Sequence, residues 1–261
     1  MKWIQISLFA LLCAWAGGCA TPPPDTVFQT ATIDALMAGV YDGDLSLAEL
    51  RRHGDFGIGT YDRLDGEMVL LDGVFYQVRA NGMVVQPGLE GETPFAAVCA
   101  FRPEKTVALP AGADLEAVEA ALDRVIPDRN LFQAIRIDGR FRMVRTRSVP
   151  PQKRPYPPLK DVAATQPVFD LEEVDGTVVG FRCPAFVAGV NVPGYHLHFI
   201  SRNRAQGGHL LALELASGTA QVDVLDRWAL QLPRTKDFAE ADLARDRRQD
   251  LKGVEKDRPM K

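Results

Sequence analysis

Cysteine is scarce: the 261-residue sequence holds four, and two of them, Cys13 and Cys19, fall in the first nineteen residues. The remaining pair, Cys99 and Cys183, belongs to no CxxC and no Cys/His cluster. That argues against a disulfide framework or a structural zinc site and for two buried free thiols. Basic charge is not in excess either. Thirty Lys and Arg against 34 Asp and Glu leave a net charge of −4, so the chain lacks the electropositive footprint of a protein that holds DNA or RNA. After the N-terminus no run approaches the ~20 apolar residues of a membrane span, which excludes multi-pass transporters and channels. Histidine is as rare as cysteine, with four residues, and its distribution is uneven.

What is present suits a folded chain. With 46% hydrophobic and 25% charged residues there is enough apolar material for one large domain or two small ones. Residues 1–19 carry one cation at Lys2, an apolar run from Trp3 to Trp15, and Ala16-Gly17-Gly18 ahead of Cys19. This pattern reads as an export signal of the lipoprotein type, with Cys19 as the lipid anchor and the periplasm or cell envelope as destination. Residues 20–27, with Pro22-Pro23-Pro24, suit an extended tether.

Beyond the tether the punctuation is mostly that of strands. Ser46-Leu47-Ala48-Glu49 matches a capping box, and Gly54 marks the end of a short helix. Glu67 to Leu71, Val74 to Val78 and Met83 to Gln86 form a meander broken by Asp72-Gly73 and Asn81-Gly82. Residues 113–126 place Leu115, Val118, Ala121, Leu122 and Val125 on one helical face. Strands are expected from Leu131 to Ile137 and from Arg140 to Val149, with a turn at Asp138-Gly139 between them. Pro150 to Pro158 contains five prolines in nine residues, which places a boundary between lobes 28–159 and 160–261. In the second lobe Asp175-Gly176 and Pro193-Gly194 introduce strands. Further strands are expected at His209 to Leu215 and Ala220 to Leu225, and Asp237 with Glu240 opens a final helix carrying Leu243 and Leu251. Hairpins mixed with helices in both lobes indicate an α+β, mixed α/β class.

Three of the four histidines, His196, His198 and His209, lie within fourteen residues, while His53 stands alone and is expected at the surface. In Tyr195-His196-Leu197-His198-Phe199 the imidazoles alternate with apolar residues, so a strand projects both from one face. A turn near Asn203-Arg204 would bring His209 across from His198. Three neutral imidazoles suit zinc and leave a coordination position open. The apolar run that follows, Leu210 to Leu213, implies a buried strand on which unliganded imidazoles would be costly.

The run Tyr195-His196-Leu197-His198-Phe199-Ile200-Ser201, followed by Gly207-Gly208-His209, resembles the metal-binding segment of α-acetolactate decarboxylase. Further blocks agree in order: His53 to Thr60, Leu64-Asp65-Gly66-Glu67-Met68, Asp72 to Gln77, Thr93 to Ala96, Phe132 to Gly139, Arg147-Ser148-Val149-Pro150 and Pro155 to Leu159. The resemblance covers the chain from about Val27 onward. It implies conversion of 2-acetolactate to acetoin and CO₂, with Zn²⁺ held by His196, His198 and His209. It also implies two lobes built on mixed, largely antiparallel sheets with few helices, and a metal site between the lobes. The family's motifs place Glu67, Arg147 and Glu255 beside the metal, and Thr60 is expected to line the same pocket.

Acetolactate's adjacent hydroxyl and ketone can chelate one ion, and loss of CO₂ leaves an enediolate whose charge a Lewis acid stabilises without an organic cofactor. Arg147 would clamp the carboxylate, although Arg145 shares its strand parity and only the family match separates the two. Glu67 would exchange a proton with the substrate. Two other classes stay open from the residues alone: a different His₃-zinc enzyme that hydrolyses its substrate, and a noncatalytic metal-binding envelope lipoprotein. A homodimer is left open as well.

Overall fold

The computed structural model describes residues 24–255. The export signal, Cys19 and residues 20–23 of the expected tether lie outside the described residues, and the tether is shorter than expected because Thr26 and Val27 belong to the first strand. Numbered along the chain, seven strands form a first sheet in the order β14 (Arg227–Gln231), β1 (Thr26–Thr30), β8 (Ala96–Cys99), β3 (Phe56–Thr60), β4 (Glu67–Leu71), β5 (Val74–Val78) and β6 (Val84–Val85). A second sheet runs β10 (Phe132–Arg147), β11 (Val168–Cys183), β12 (Gly194–Ser201), β13 (Gly207–Leu225) and β9 (Lys105–Leu109), and β10 also pairs with β13. A short ribbon joins β2 (Leu45–Ser46) to β7 (Glu92–Thr93). The pairings are antiparallel except that of β1 with β14. Among the described residues six α-helices accompany the sheets: α1 (Ile33–Met37), α2 (Leu47–Leu50), α3 (Leu115–Val125), α4 (Leu159–Ala163), α5 (Lys236–Glu240) and α6 (Arg248–Glu255). Among the described residues no helix is long and apolar enough to cross a membrane.

Where turn chemistry is local, the sequence places the elements. Asp72 and Gly73 both take positive φ, 53° and 76°, the pair of left-handed residues that a two-residue hairpin requires, and they close β4 onto β5. The Ser46 hydroxyl caps α2 by accepting from the Glu49 N–H at 3.2 Å. In α3 the Asp114 carboxylate does the same for Ala117 at 2.8 Å. Val118, Ala121 and Leu122 of α3 are buried as expected, but Val125 is 41% exposed and Ile126, just past the helix, is buried instead. Cys99 and Cys183 are buried free thiols.

Several expectations need correction. Asp138-Gly139 is not a turn, Asp175-Gly176 lies inside a strand rather than introducing one, and residues 207–225 are one strand rather than two. β10, β11 and β13 run straight through these points, with Gly139 in register with Gly176 on one side and Gly218 on the other. The glycines provide clearance: a methyl group on Gly139 would lie 2.6 Å from the Ser217 carbonyl oxygen, and one on Gly176 would lie 2.3 Å from the Phe199 ring. Ladder registers slip beside Arg140, as at a bulge that bends long strands.

The division of the sheets does not fall at Leu159 either. β9 and β10 precede the proline-rich segment yet pair with β11 to β13, and β14 returns to the first sheet. The final helix is two helices, because Asp242 and Asp246 accept from the N–H groups of Ala244 and Arg248, two residues on, and such local bonds compete with a helical ladder. His53 is half-buried rather than free at the surface, stacked on Phe28 with ring centroids 3.6 Å apart.

Candidate metal centre

The histidine hairpin follows from strand geometry. Tyr195, Leu197 and Phe199 of β12 turn toward the core shared with Phe141 and Val178, which leaves His196 and His198 on the opposite face. β12 pairs with β13 so that His198 and His209 are direct partners, and on its other side His209 is the partner of Arg147 on β10. One row across three strands thus carries an arginine and two imidazoles, with the third imidazole two residues along β12. All three rings are buried. Their centroids are 5.1 to 5.3 Å apart, and one ring nitrogen from each lies within 4.8 Å of the other two.

Glu67 is the first residue of β4, delivered by a bend at Gly66 with φ 87°. A side chain at Gly66 would meet the Val78 carbonyl oxygen at 2.3 Å, so glycine is required there. The bend is braced by the Thr60 hydroxyl, which donates to the Gly66 carbonyl at 2.7 Å, and by the Gln77 amide, which donates to the Asp65 carbonyl at 2.6 Å. Glu67 Oε2 ends 3.6 Å from His198 Nε2. From the far end of the chain, α6 brings Glu255 Oε2 to 3.5 Å from His209 Nε2 and 4.0 Å from His196 Nε2. Arg147 is 5% exposed; its Nη1 donates to the Val254 carbonyl and its Nη2 lies 4.0 Å from Glu255 Oε1. Every site residue named from the sequence, Thr60 included, lines one cavity to which both sheets contribute, and apart from Gln166 its remaining wall is apolar, with Ile33, Leu36, Phe95, Val149, Leu159 and Val254.

Comparison with known proteins separates this arrangement from the other three-histidine classes. The model of the family described as alpha-acetolactate decarboxylase matches residues 27–245. The chain is 48% identical over 232 residues to the alpha-acetolactate decarboxylase of Methanosarcina mazei, an alignment covering 89% of this chain and 81% of that one. It is 42% identical over 221 residues to the Bacillus subtilis protein of the same name, covering 85% and 87%. The chain belongs to the alpha-acetolactate decarboxylase family. The crystal structure of alpha-acetolactate decarboxylase from Bacillus subtilis strain 168 superposes with a TM-score of 0.87 at 40% identity, over 89% of this chain and all of that one. Glu255 lies beyond the residues that the alpha-acetolactate decarboxylase family model matches, and its place at the imidazoles comes from the packing of α6.

In this member of the alpha-acetolactate decarboxylase family, burial dominates the electrostatics of the site. Burial, with Arg147 adding to it, pushes His196 down to about 3 and holds His198 and His209 well below the ordinary imidazole range. The rings are therefore neutral, the form that ligates a metal. His198 Nδ1 lies 2.8 Å from the Met68 carbonyl, which fixes the proton on Nδ1. Its Nε2 is then a buried lone pair with no hydrogen-bond partner among the described residues. Such an atom is costly unless it meets a cation, and with two more neutral imidazoles beside it the donor set fits a divalent metal. Burial raises Glu67 to about 8, with Arg147 opposing and Glu255 adding to the rise, and raises Glu255 to about 7 against the pull of Arg147. A metal cation would draw both back down. Sequence reading missed the carbonyls of Met68 and Val254, which orient His198 and Arg147; backbone acceptors have no residue signature by which to find them. It also missed the apolar wall from α1, whose Ile33 and Leu36 look like any core pair.

Proposed function

We propose that the protein decarboxylates 2-acetolactate to acetoin and CO₂, with a zinc ion held by His196, His198 and His209. The observation that carries this reading is the convergence of three buried, neutral imidazoles, one with an unpartnered Nε2, on the cavity that also holds Arg147, Glu67 and Glu255. Three nitrogens favour a borderline divalent ion over calcium or magnesium, which prefer oxygen. Bound there, zinc would supply a Lewis acid for the charge left on the substrate's oxygens when CO₂ departs.

The chain's own groups do the rest. Arg147, braced by the Val254 carbonyl, presents its planar guanidinium to the substrate carboxylate and aligns the bond to be broken. The apolar wall excludes water from the carbanion-like centre. Glu67 relays a proton to carbon after CO₂ has left, taking one up from solvent in each turnover. An arginine cannot do this, because its proton is too tightly held. The export-signal pattern of residues 1–19, with Cys19 at its end, supports a periplasmic or envelope location for the reaction.

The test is to supply acetolactate to the purified chain before and after chelation, measuring acetoin and CO₂. Acetoin formation that is lost with the metal and returns with zinc is the expected result. His198→Ala should lower metal binding and turnover together, by on the order of 10³-fold or more in rate. Full activity in the metal-free protein would sink the proposal, as would hydrolysis in place of CO₂ release.

A further inference from the structure

Arg147 is flanked by two hydroxyl residues that the reaction as derived leaves unused. Thr146 and Ser148 are both 0% exposed, and strand alternation turns them away from the face on which Arg147 projects. Each hydroxyl donates to a main-chain carbonyl of a different segment: Thr146 Oγ1 to Gly207 at 2.9 Å, and Ser148 Oγ to Val78 at 2.6 Å. One acceptor belongs to a strand that carries a site residue and the other to the neighbour of such a strand. Gly207 opens β13 two residues before His209, and Val78 on β5 is the register partner of Glu67 on β4. The first bond ties the arginine's segment to the histidine hairpin, and the second ties it, across the two sheets, to the glutamate hairpin.

There is little slack where these segments meet. A methyl group on Gly207 would lie 2.4 Å from the Phe199 carbonyl oxygen and 3.1 Å from Val78 Cγ2, and one on Gly208 would lie 2.3 Å from the Arg147 carbonyl oxygen. The β10–β13 ladder slips register between Arg145 and Thr146 while β10 keeps its register with β11 through Arg147, so on the side of the histidine hairpin the Thr146 hydroxyl supplements a broken ladder. We infer that Thr146 and Ser148 are positioning residues for Arg147, their hydroxyls holding its guanidinium in register with Glu67 and the three imidazoles so that it meets the substrate carboxylate. The inference rests on Arg147 being the carboxylate-binding group.

The test uses the metal-loaded full chain with Thr146→Val, which is close to isosteric, Ser148→Ala, Thr146→Ser as the hydroxyl-retaining control, and Arg147→Gln as the reference. Two inhibitors are compared: 2,3-dihydroxy-2-methylbutanoate, which keeps the carboxylate, and acetoin, which has none. Thr146→Val and Ser148→Ala should lower kcat/KM by about 10- to 100-fold. They should weaken the dihydroxy acid by a similar factor and leave acetoin inhibition and metal content unchanged, while Thr146→Ser stays near wild type. A merely structural role would lower the melting temperature and the folded fraction without moving the ratio of the two inhibition constants. That ratio unchanged in both hydroxyl variants, but changed in Arg147→Gln, overturns the inference. An unchanged ratio in Arg147→Gln instead removes the carboxylate role of Arg147 itself, and the inference falls with it.

Discussion

Among the described residues, the carboxyl groups buried at the cavity and the one at Asp223 are partnered differently. Glu67 and Glu255 face Arg147 and the imidazole nitrogens across a cavity. Asp223, on β13 and 1% exposed, has a backbone partner, the Arg102 N–H that donates to Oδ2 at 2.7 Å. Its Oδ1 is buried without a hydrogen-bond partner among the described residues, and burial, with Asp25 and Glu104 adding to it, raises Asp223 to about 6. A raised pKa is thus common to both places and does not mark a site by itself. What distinguishes the first is convergence: a guanidinium, three lone-pair donors and an apolar wall meet the carboxyl groups at one point. At Asp223 nothing converges, and the buried acid is a cost the fold carries.

The same exchange of acid for amide separates the two, and its largest effect falls at the metal centre. Glu67→Gln keeps the shape and removes the proton, so kcat should fall by roughly 10²- to 10⁴-fold while metal content and melting temperature stay close to wild type. Steady-state kinetics beside a metal assay check this. Turnover within a few-fold of wild type would mean that the proton comes from elsewhere, with Glu255 the next group to change.

Asp223→Asn should do the reverse, leaving turnover alone and raising stability. The folded pKa of about 6 stands above the ordinary 3.8, so between those values the folded state holds a proton that the unfolded chain releases. Stability therefore falls as pH rises through this window, by up to on the order of 3 kcal/mol once the pH is above 6. The amide cannot ionise and loses this dependence. Urea unfolding should show the variant gaining on wild type at pH 7.5 and little difference at pH 4. Parallel curves at both pH values would show that Asp223 carries no such cost.

How far these features were legible depends on the range of the interaction that creates them. The Asp72-Gly73 hairpin, the Ser46 cap and the His196/His198 alternation are set within a few residues, and each is where the sequence places it. The facing of His198 by His209 needed only a short turn as well. The long strands were misread because Gly139, Gly176 and Gly218 answer to one another across three strands, a relation that no local window contains. The same limit hid the return of β14 to the first sheet, whereas the break before α6 is set locally by Asp242 and Asp246 and lay within reach of the sequence. At the site, the imidazoles could be argued from spacing, whereas Glu67, Arg147 and Glu255 reached the list through family likeness, because they come together only when β4, β10 and α6 pack.

Arg145 and Arg147 show that limit within three residues, and they supply the smallest expected effect. Strand parity treats them alike, and β10 keeps its register with β11 through both, but their surroundings differ. Arg145 pairs with Asp170 at the surface through Nε–Oδ1 at 2.7 Å and Nη2–Oδ2 at 3.0 Å, and that hydrogen-bonded pairing holds Asp170 below the ordinary carboxylate range. A carboxylate with a depressed pKa contributes stability above its unfolded value and loses it as pH falls through the folded one, so this contribution disappears in acid. With Asp170 53% exposed, the pair is worth only about 0.2–1 kcal/mol and is weakened by salt. Arg145→Gln should lower urea stability by that small amount at pH 7, less in 1 M NaCl, and leave kcat/KM within about twofold. A loss of turnover as large as that of Glu67→Gln would move the carboxylate clamp from the buried arginine to the half-buried one, and would break the link between convergence in the cavity and catalysis.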